Sequence, residues 1–370
     1  MVEGRVDLGN DATCYLGWNR PTLDDAHRLT ATKNAQGVTT MIATQQKGFY
    51  TAYPLSGIPT FLRSKELRTL DEVDTTNFDI AFLGVPFDEG MPYLPGSRFC
   101  ARGMREQSLR YNKRGYYDVD EDKVYLAKEL QEDRMVDLGD VPIVPCDVEG
   151  NVRLTSEIVR RVLRKDNHPL LVGLGGDHSV SNPLIQGFDV LQEPIHVVQF
   201  DSHPDYAEFS DGFTLTNAHP FRHVAGMDHV KSLTQVGIRS VRAFNARDSR
   251  ADGNRIVGMR EFRRLGPSGI ASLLPESEAC YISIDIDALD CSLVPGCPSA
   301  EPNGMMFAEL TDTLAAIAAH NRIVGFDLVE VAPELDVGNK ITSYLATMIV
   351  VLLLGKICDQ PYWKARYLPD

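Results

Sequence analysis

The chain has 370 residues and a formal net charge of −14 at pH 7. This is enough chain for one large α/β core or two smaller domains. The excess of acid argues against nucleic acid and anionic membrane as partners, because both call for basic surfaces, and it suits a small cationic ligand.

The seven cysteines, Cys14, Cys100, Cys146, Cys280, Cys291, Cys297 and Cys358, are scattered and include no CxxC pair. An odd, dispersed set fits reduced thiols in the cytoplasm better than a disulfide framework. No apolar signal-peptide core is visible at the N-terminus. The longest apolar run, 348–354, is too short to span a bilayer and reads as a buried helix.

Residues 1–75 mix polarities, carry many turn formers and show no clear period. They read as an N-terminal extension with little regular structure, packed on a neighbouring subunit. The main domain, 76–370, begins as the pattern changes. Buried strands are expected at 79–87, 134–141, 169–176, 195–200, 233–241, 279–287 and 322–331. Helices are expected between them: 101–112, one capped by Thr155 or Ser156 and ending at Leu163, one from about Asn182, 258–265, 307–320 and 341–358. Alternating strands and helices predict a three-layer α/β/α fold with a central, mostly parallel sheet. In such sheets ligands bind beyond the carboxyl ends of the strands. Polar residues follow those ends: Asp88, Asp140, His178, Asp201 to Asp205, Asp285 to Asp287, and Glu330.

The densest group is Asp201, Ser202, His203, Pro204 and Asp205, immediately after IHVVQF. Fully extended, this segment would hold Asp201 and Asp205 about 13 Å apart, too far to share an ion. The strand must therefore end near Phe200 and the chain must turn, with Pro204 helping to fix the bend. His178 follows two glycines at another strand end. Asp285 and Asp287 lie two apart, on one face of a third strand. Each piece alone is as easily a solvated turn as a ligand. Together they make four carboxylates and two imidazoles, and unpaired carboxylates at that density would repel and raise one another's pKa values. Two divalent cations would neutralise them. An all-oxygen-and-nitrogen set favours Mn, Ni, Zn or Fe over a soft-metal site. Such a pair lowers the pKa of a shared water to about 7.

LGGDHS (174–179), DSHPD (201–205), SIDIDALD (283–290) and GFDLVEVAP (325–333) resemble signature blocks of the ureohydrolase family of arginases, agmatinases and guanidinobutyrases. GVPFDEG and PGSRF, between 84 and 99, and VDLGD (136–140) resemble its early blocks. The resemblance implies a single α/β/α domain, assembled as a trimer or hexamer, with two Mn2+ or Ni2+ ions per subunit. It implies that His178 and Asp205 are private ligands of the first metal and His203 and Asp287 of the second. Asp201 and Asp285 correspond to bridging carboxylates. Glu330 corresponds to the glutamate that pairs with a substrate guanidinium, a role that bidentate carboxylate recognition makes physically reasonable. Asp177 corresponds to a residue that orients a ligand.

Three departures concern the pocket wall. Anchored on Pro220, Phe221 and Arg222, the family's usual proton-shuttle histidine falls on Asn217, and His219 lies two residues later as its substitute. Cys297 and Ser299 replace two threonines, while Glu301 remains. Leu94 stands where an arginine is common. A complete metal set with altered walls implies retained hydrolysis, with Asp205 or His219 relaying the proton and Glu330, His219, Asn217 and Glu301 contacting substrate. No segment matches the arginase loop for an α-amino acid group. Arginine is thus the least expected substrate; the altered loops and the long N-terminal segment make guanidine or a small alkylguanidine the expected one, ahead of agmatine or 4-guanidinobutanoate. Two other classes remain: a non-catalytic subunit of a mixed oligomer with a paralogue, and a one-zinc deacetylase of related fold.

Overall fold

In the computed structural model the chain divides into two units, Met1–Tyr53 and Pro54–Asp370. Of the first, only the antiparallel pairing of Thr32–Lys33 with Thr39–Thr40 is described. Of the second, residues 58–367 are described, apart from 112 and 211. Most of the expected N-terminal extension thus lies outside the described residues.

A nine-stranded sheet dominates the second unit. Its strands in chain order are β1 (Lys65–Glu66), β2 (Ile80–Gly84), β3 (Met135–Asp140), β4 (Leu170–Leu174), β5 (Ile195–Phe200), β6 (Val230–Ile238), β7 (Arg255–Gly258), β8 (Ala279–Asp285) and β9 (Arg322–Val329). Their spatial order is β7-β6-β5-β8-β9-β4-β2-β3-β1, and every neighbouring pair is parallel.

Burial on both faces explains the continuous apolar runs in the sequence. Ile80 and Phe82 of β2 join one core, and Ala81 and Leu83 join the other. The first core is covered by α1 (Cys100–Ser108), α4 (Phe307–His320) and α5 (Ile341–Cys358), and the second by α2 (Val148–Leu163). Helix α5 is long and apolar enough to cross a membrane, but 67% of it is buried inside the protein. Ile349, Val350, Leu353, Leu354 and Ile357 are all at most 1% exposed, so α5 is a core helix. Each such side chain contributes about 1.5–3 kcal/mol of burial.

Some boundaries differ from the sequence reading. Helix α2 starts at Val148, with the Asp147 carboxylate accepting from Gly150 N–H at 3.0 Å. Thr155 and Ser156 therefore lie inside it, and their hydroxyls donate back to the Asn151 and Arg153 carbonyls. A helix over Ala243–Ala251 and the edge strands β1 and β7 went unread, because the helix and β1 are largely polar and β7 is only four residues long. Helix α3 (Met259–Ala271) continues past Leu265 through a break at Gly266 and Pro267.

Sheet register sets the site. Ile284 pairs with Phe200 on one side and Leu328 on the other, and Leu328 pairs with Leu174. The ends of β4, β5, β8 and β9 are thus level, and His178, Asp201, Asp285 and Glu330 all issue from one edge.

Candidate metal centre

Beyond that edge the chain curls as the sequence requires. Asp201 N–H continues the ladder to the Val236 carbonyl at 3.0 Å, after which His203 N–H turns back to Asp201 Oδ1 at 2.5 Å. The curl leaves Asp205 at φ 43°, and Glu330 sits at φ 64°. Non-glycine residues held in this left-handed region carry strain of about 1–3 kcal/mol, which the surrounding structure must impose.

The six predicted ligands meet. His178 Nδ1 lies 2.9 Å from Asp201 Oδ2, 2.9 Å from Asp205 Oδ2 and 3.2 Å from Asp285 Oδ2. His203 Nδ1 lies 2.9 Å from Asp287 Oδ2 and 3.6 Å from Asp201 Oδ1. Asp201 belongs to both groups. Asp285 and Asp287 share a third group with the Cys297 thiol, in which all three donor atoms lie within 4.8 Å of one another.

The donor chemistry fits cations. His178 is fully buried, and its Nδ1 makes no hydrogen bond despite the three oxygens around it. Its other nitrogen, Nε2, is 3.1 Å from Ser283 Oγ, which donates to Asp327 Oδ1 at 2.7 Å. With the Ser283 proton committed to Asp327, Nε2 is placed to donate to Ser283, as the outer nitrogen of a metal-bound imidazole does. Burial opposes charge on the ring, yet Asp201, Asp205 and Asp285 raise its pKa well above the ordinary value, so positive charge is favoured where Nδ1 meets them.

The electrostatics agree. Burial and the charge of Asp201 push Asp205 up to about 6, and burial with Asp287 and Asp201 pushes Asp285 well above the usual range. Burial opposes charge on His203, yet Asp287 and Asp201 raise it to about 12. Protons are thus drawn into a space that cations would fill.

Several residues that the sequence reading passed over aim this cluster. The Gln199 amide donates to Asp201 Oδ2 at 2.6 Å and is itself held by Gln235, whose oxygen accepts from Ser249 at 2.7 Å. Gln199, Ser283 and Asp327 are each a fully buried polar residue in a largely apolar strand, and that was the available signal. Asp177 accepts from Ser179 N–H and from Gly90 N–H, both at 2.9 Å, and so fastens the 88–98 loop to the His178 turn. Asp88 and Asp140 do not join the cluster. Asp88 closes its own loop onto Gly96 and Arg98, and Asp140 pairs with Arg105.

Glu330 is buried beside the centre. Its Oε1 accepts from His178 N–H at 2.9 Å and its Oε2 from Ser97 Oγ at 3.0 Å. Burial and the nearby Asp177 push it up to about 8. His203 Nε2 lies 3.9 Å from the half-exposed Glu301. Asn217 donates to Met91 Sδ at 3.1 Å. His219 is 5% exposed. Its Nδ1 meets Thr216 Oγ1 at 2.7 Å, its Nε2 faces the Glu208 carbonyl at 3.4 Å, and Phe209 stacks on the ring. Each of these contacts is to its own loop, and burial lowers its pKa.

The sequence profile of the arginase family matches residues 78–355. The chain belongs to the arginase family. Its members hydrolyse amidino C–N bonds, and this chain is such a hydrolase acting on guanidino groups. The agmatinase of Bacillus cereus is 30% identical over 75% of this chain and 91% of its own length. The structure of proclavaminate amidinohydrolase from Streptomyces clavuligerus superposes with a TM-score of 0.71 at 28% identity, covering 82% of this chain and 98% of that one. A formiminoglutamase from Trypanosoma cruzi, solved with Mn2+, shares the arginase-family fold at 17% identity and a TM-score of 0.68, over 79% of this chain and 99% of its own.

Proposed function

We propose that the chain hydrolyses guanidine or a small alkylguanidine, releasing urea or a substituted urea with ammonia or an amine. His178, Asp201, His203, Asp205, Asp285 and Asp287 would hold two divalent cations, Mn2+ or Ni2+. The Mn2+ found with the Trypanosoma relative supports the former. The cations would supply water of lowered pKa at neutral pH. Glu330 takes the guanidinium on its carboxylate, a planar donor meeting a paired acceptor. Ser97 and the His178 backbone orient that carboxylate. Asp205 moves a proton on its carboxylate oxygen to the leaving nitrogen as the C–N bond breaks. His219 we read as a fastener of its loop, in place of the proton carrier expected from sequence, because both ring nitrogens are engaged there.

The observation that carries the substrate choice concerns the arginines around the strand ends. Arg98 is tied to Asp88 and Arg222 to Asp248. Arg239 donates to the carbonyls of Asp287, Leu289, Glu301 and Pro302. None of these three is spare for a substrate carboxylate, and Leu94 stands exposed where an arginine is common. Arginine and 4-guanidinobutanoate are disfavoured at these positions on that ground, which leaves the exposed Arg242, in the loop after β6, as the remaining candidate for a substrate carboxylate among the described residues there. Agmatine, whose second charge is positive, is the second reading, and the similarity to a bacterial agmatinase favours it. Urea release assayed across guanidine, methylguanidine, agmatine, 4-guanidinobutanoate and arginine, with Mn2+ and with Ni2+, tests this. Turnover confined to agmatine overturns the first choice. Turnover by the purified chain alone excludes a silent subunit that needs a paralogue, and two metals per chain exclude the one-zinc deacetylase. A cytoplasmic homo-oligomer, trimeric or hexameric, completes the proposal.

A further inference from the structure

Cys297 lies where the metal centre meets its own wall. It is 8% exposed and packs among buried apolar residues. Its position is set by the turn that carries it. Cys297 N–H donates to the Val294 carbonyl at 3.0 Å. The preceding residue, Gly296, is clamped from both sides: its N–H donates to Thr342 Oγ1 at 2.8 Å, and its carbonyl accepts from Ala332 N–H at 2.8 Å. A β-carbon at Gly296 would come within 2.8 Å of Asp336, so the close approach needs glycine. The clamp delivers the sulfur to Asp285 and Asp287 with all donor atoms within 4.8 Å. Zinc bonds of about 2.3 Å to sulfur and 2.0–2.2 Å to oxygen, at tetrahedral angles, set donors sharing an ion about 3.6 Å apart, so a closure of at most about 1 Å completes the set. The fully buried His178 Nδ1, left without a hydrogen bond 3.2 Å from Asp285 Oδ2, points to a cation beside that same carboxylate. Among the described residues, Cys297 is the cysteine that joins such a group.

We propose that Cys297 is a reserve thiolate ligand. A soft or borderline cation held by Asp285 and Asp287, such as Co2+, Zn2+ or Cd2+, takes its sulfur as a further donor. A harder ion such as Mn2+ leaves it a neutral packing side chain. Thiolate ligation selects for softness, and the thiol proton is released to solvent as the bond forms. The inference rests on the metal-centre reading above and deepens it: the set read from sequence as purely oxygen and nitrogen contains one sulfur.

The test uses the full chain, stripped with chelator and titrated with Co2+ alone. Visible d–d bands report occupancy, and a near-ultraviolet thiolate-to-cobalt charge-transfer band reports sulfur ligation. Both are expected in the wild type. Cys297→Ser and Cys297→Ala should keep the d–d bands and lose the charge-transfer band, with the retained bands showing that the site still forms. Visible bands without charge transfer in the wild type overturn the inference and leave the metal centre standing. No cobalt bands at all overturn both. A charge-transfer band that survives in both variants assigns the sulfur to another cysteine and overturns the inference alone.

Discussion

The strand ends and the loops that wall them differ in how their polar groups are held. At the strand ends the fastening comes from residues distant in sequence and buried in the sheet. Gln235 holds Gln199, which holds Asp201, and Asp327 holds Ser283, which holds His178. In the walls more of the fastening is local, although Asp177 and Asn217 also reach the 88–98 loop. Asp88 closes on Gly96 and Arg98 ten residues or fewer away, and His219 bonds Thr216 and faces Glu208 within its own loop. A cluster built on the sheet keeps its geometry whichever ligand arrives, because moving it means breaking buried networks. A wall that closes on itself can be rewritten without disturbing the sheet. On the proposed function, chemistry and substrate choice would thereby lie in different parts of the molecule, and the contrast can be tested from both sides.

The largest effect should come from the strand ends. Asp201 belongs to both histidine groups, so Asp201→Ala should empty the centre and lower urea release by about a thousandfold, the scale on which preorganised electrostatic groups act. Metal analysis and a urea assay read this together. Wild-type metal content in that variant would break the comparison at its root.

Glu330→Gln should be next, costing about 2–5 kcal/mol in kcat/KM, as expected when one partner of a buried charged pair is neutralised. The same group gives a pH signature. Burial, together with Asp177, raises its folded-state pKa to about 8 from an ordinary 4.5. The folded state therefore binds more proton than the unfolded state between those values, and stability falls as pH rises through that window. In chelator-stripped protein, the melting temperature should drop between pH 6 and pH 9, and Glu330→Gln should lessen the drop. An equal drop in both proteins assigns the loss to other groups.

The same division explains what could be read in advance. Seven of the nine strands and the meeting of the six candidate side chains were legible, because buried parallel strands write continuous apolar runs and the candidates follow them directly. Strands β1 and β7 were not, since a short edge strand takes its conformation from its neighbour. The aim of His178 was hidden as well, because it depends on Ser283 and Asp327, whose adjacency exists only once β8 and β9 pair. The surroundings of His219 were hidden for a related reason. Its spacing from Pro220 said nothing about which way the ring turns, and Thr216, Phe209 and the Glu208 carbonyl decide that.

His219→Asn sharpens the wall side of the comparison. Losing the Thr216 bond and the Phe209 stack should cost about 1–3 kcal/mol of stability. The melting temperature should fall by several degrees, with kcat reduced only a few-fold and its pH profile unchanged. A variant that melts normally but loses one limb of the kcat profile would restore the ring as a proton carrier and put chemistry back into the wall.

Ser97→Ala probes the seam between the two regions and should give the smallest effect. Ser97 sits on the wall loop, yet its hydroxyl donates to Glu330 Oε2, so it is a wall residue that acts on the sheet-built site. Removing one hydrogen bond to a carboxylate costs about 1.5–3 kcal/mol at most when the acceptor stays unsatisfied. Here a bound guanidinium can supply the missing donor, so the cost should fall mainly on the free protein. Melting temperature without substrate should change more than kcat, and KM should move by only a few-fold. If kcat instead fell as far as in Glu330→Gln, Ser97 would be setting the carboxylate's position during turnover. The wall would then share in the chemistry that the buried networks otherwise keep to the strand ends.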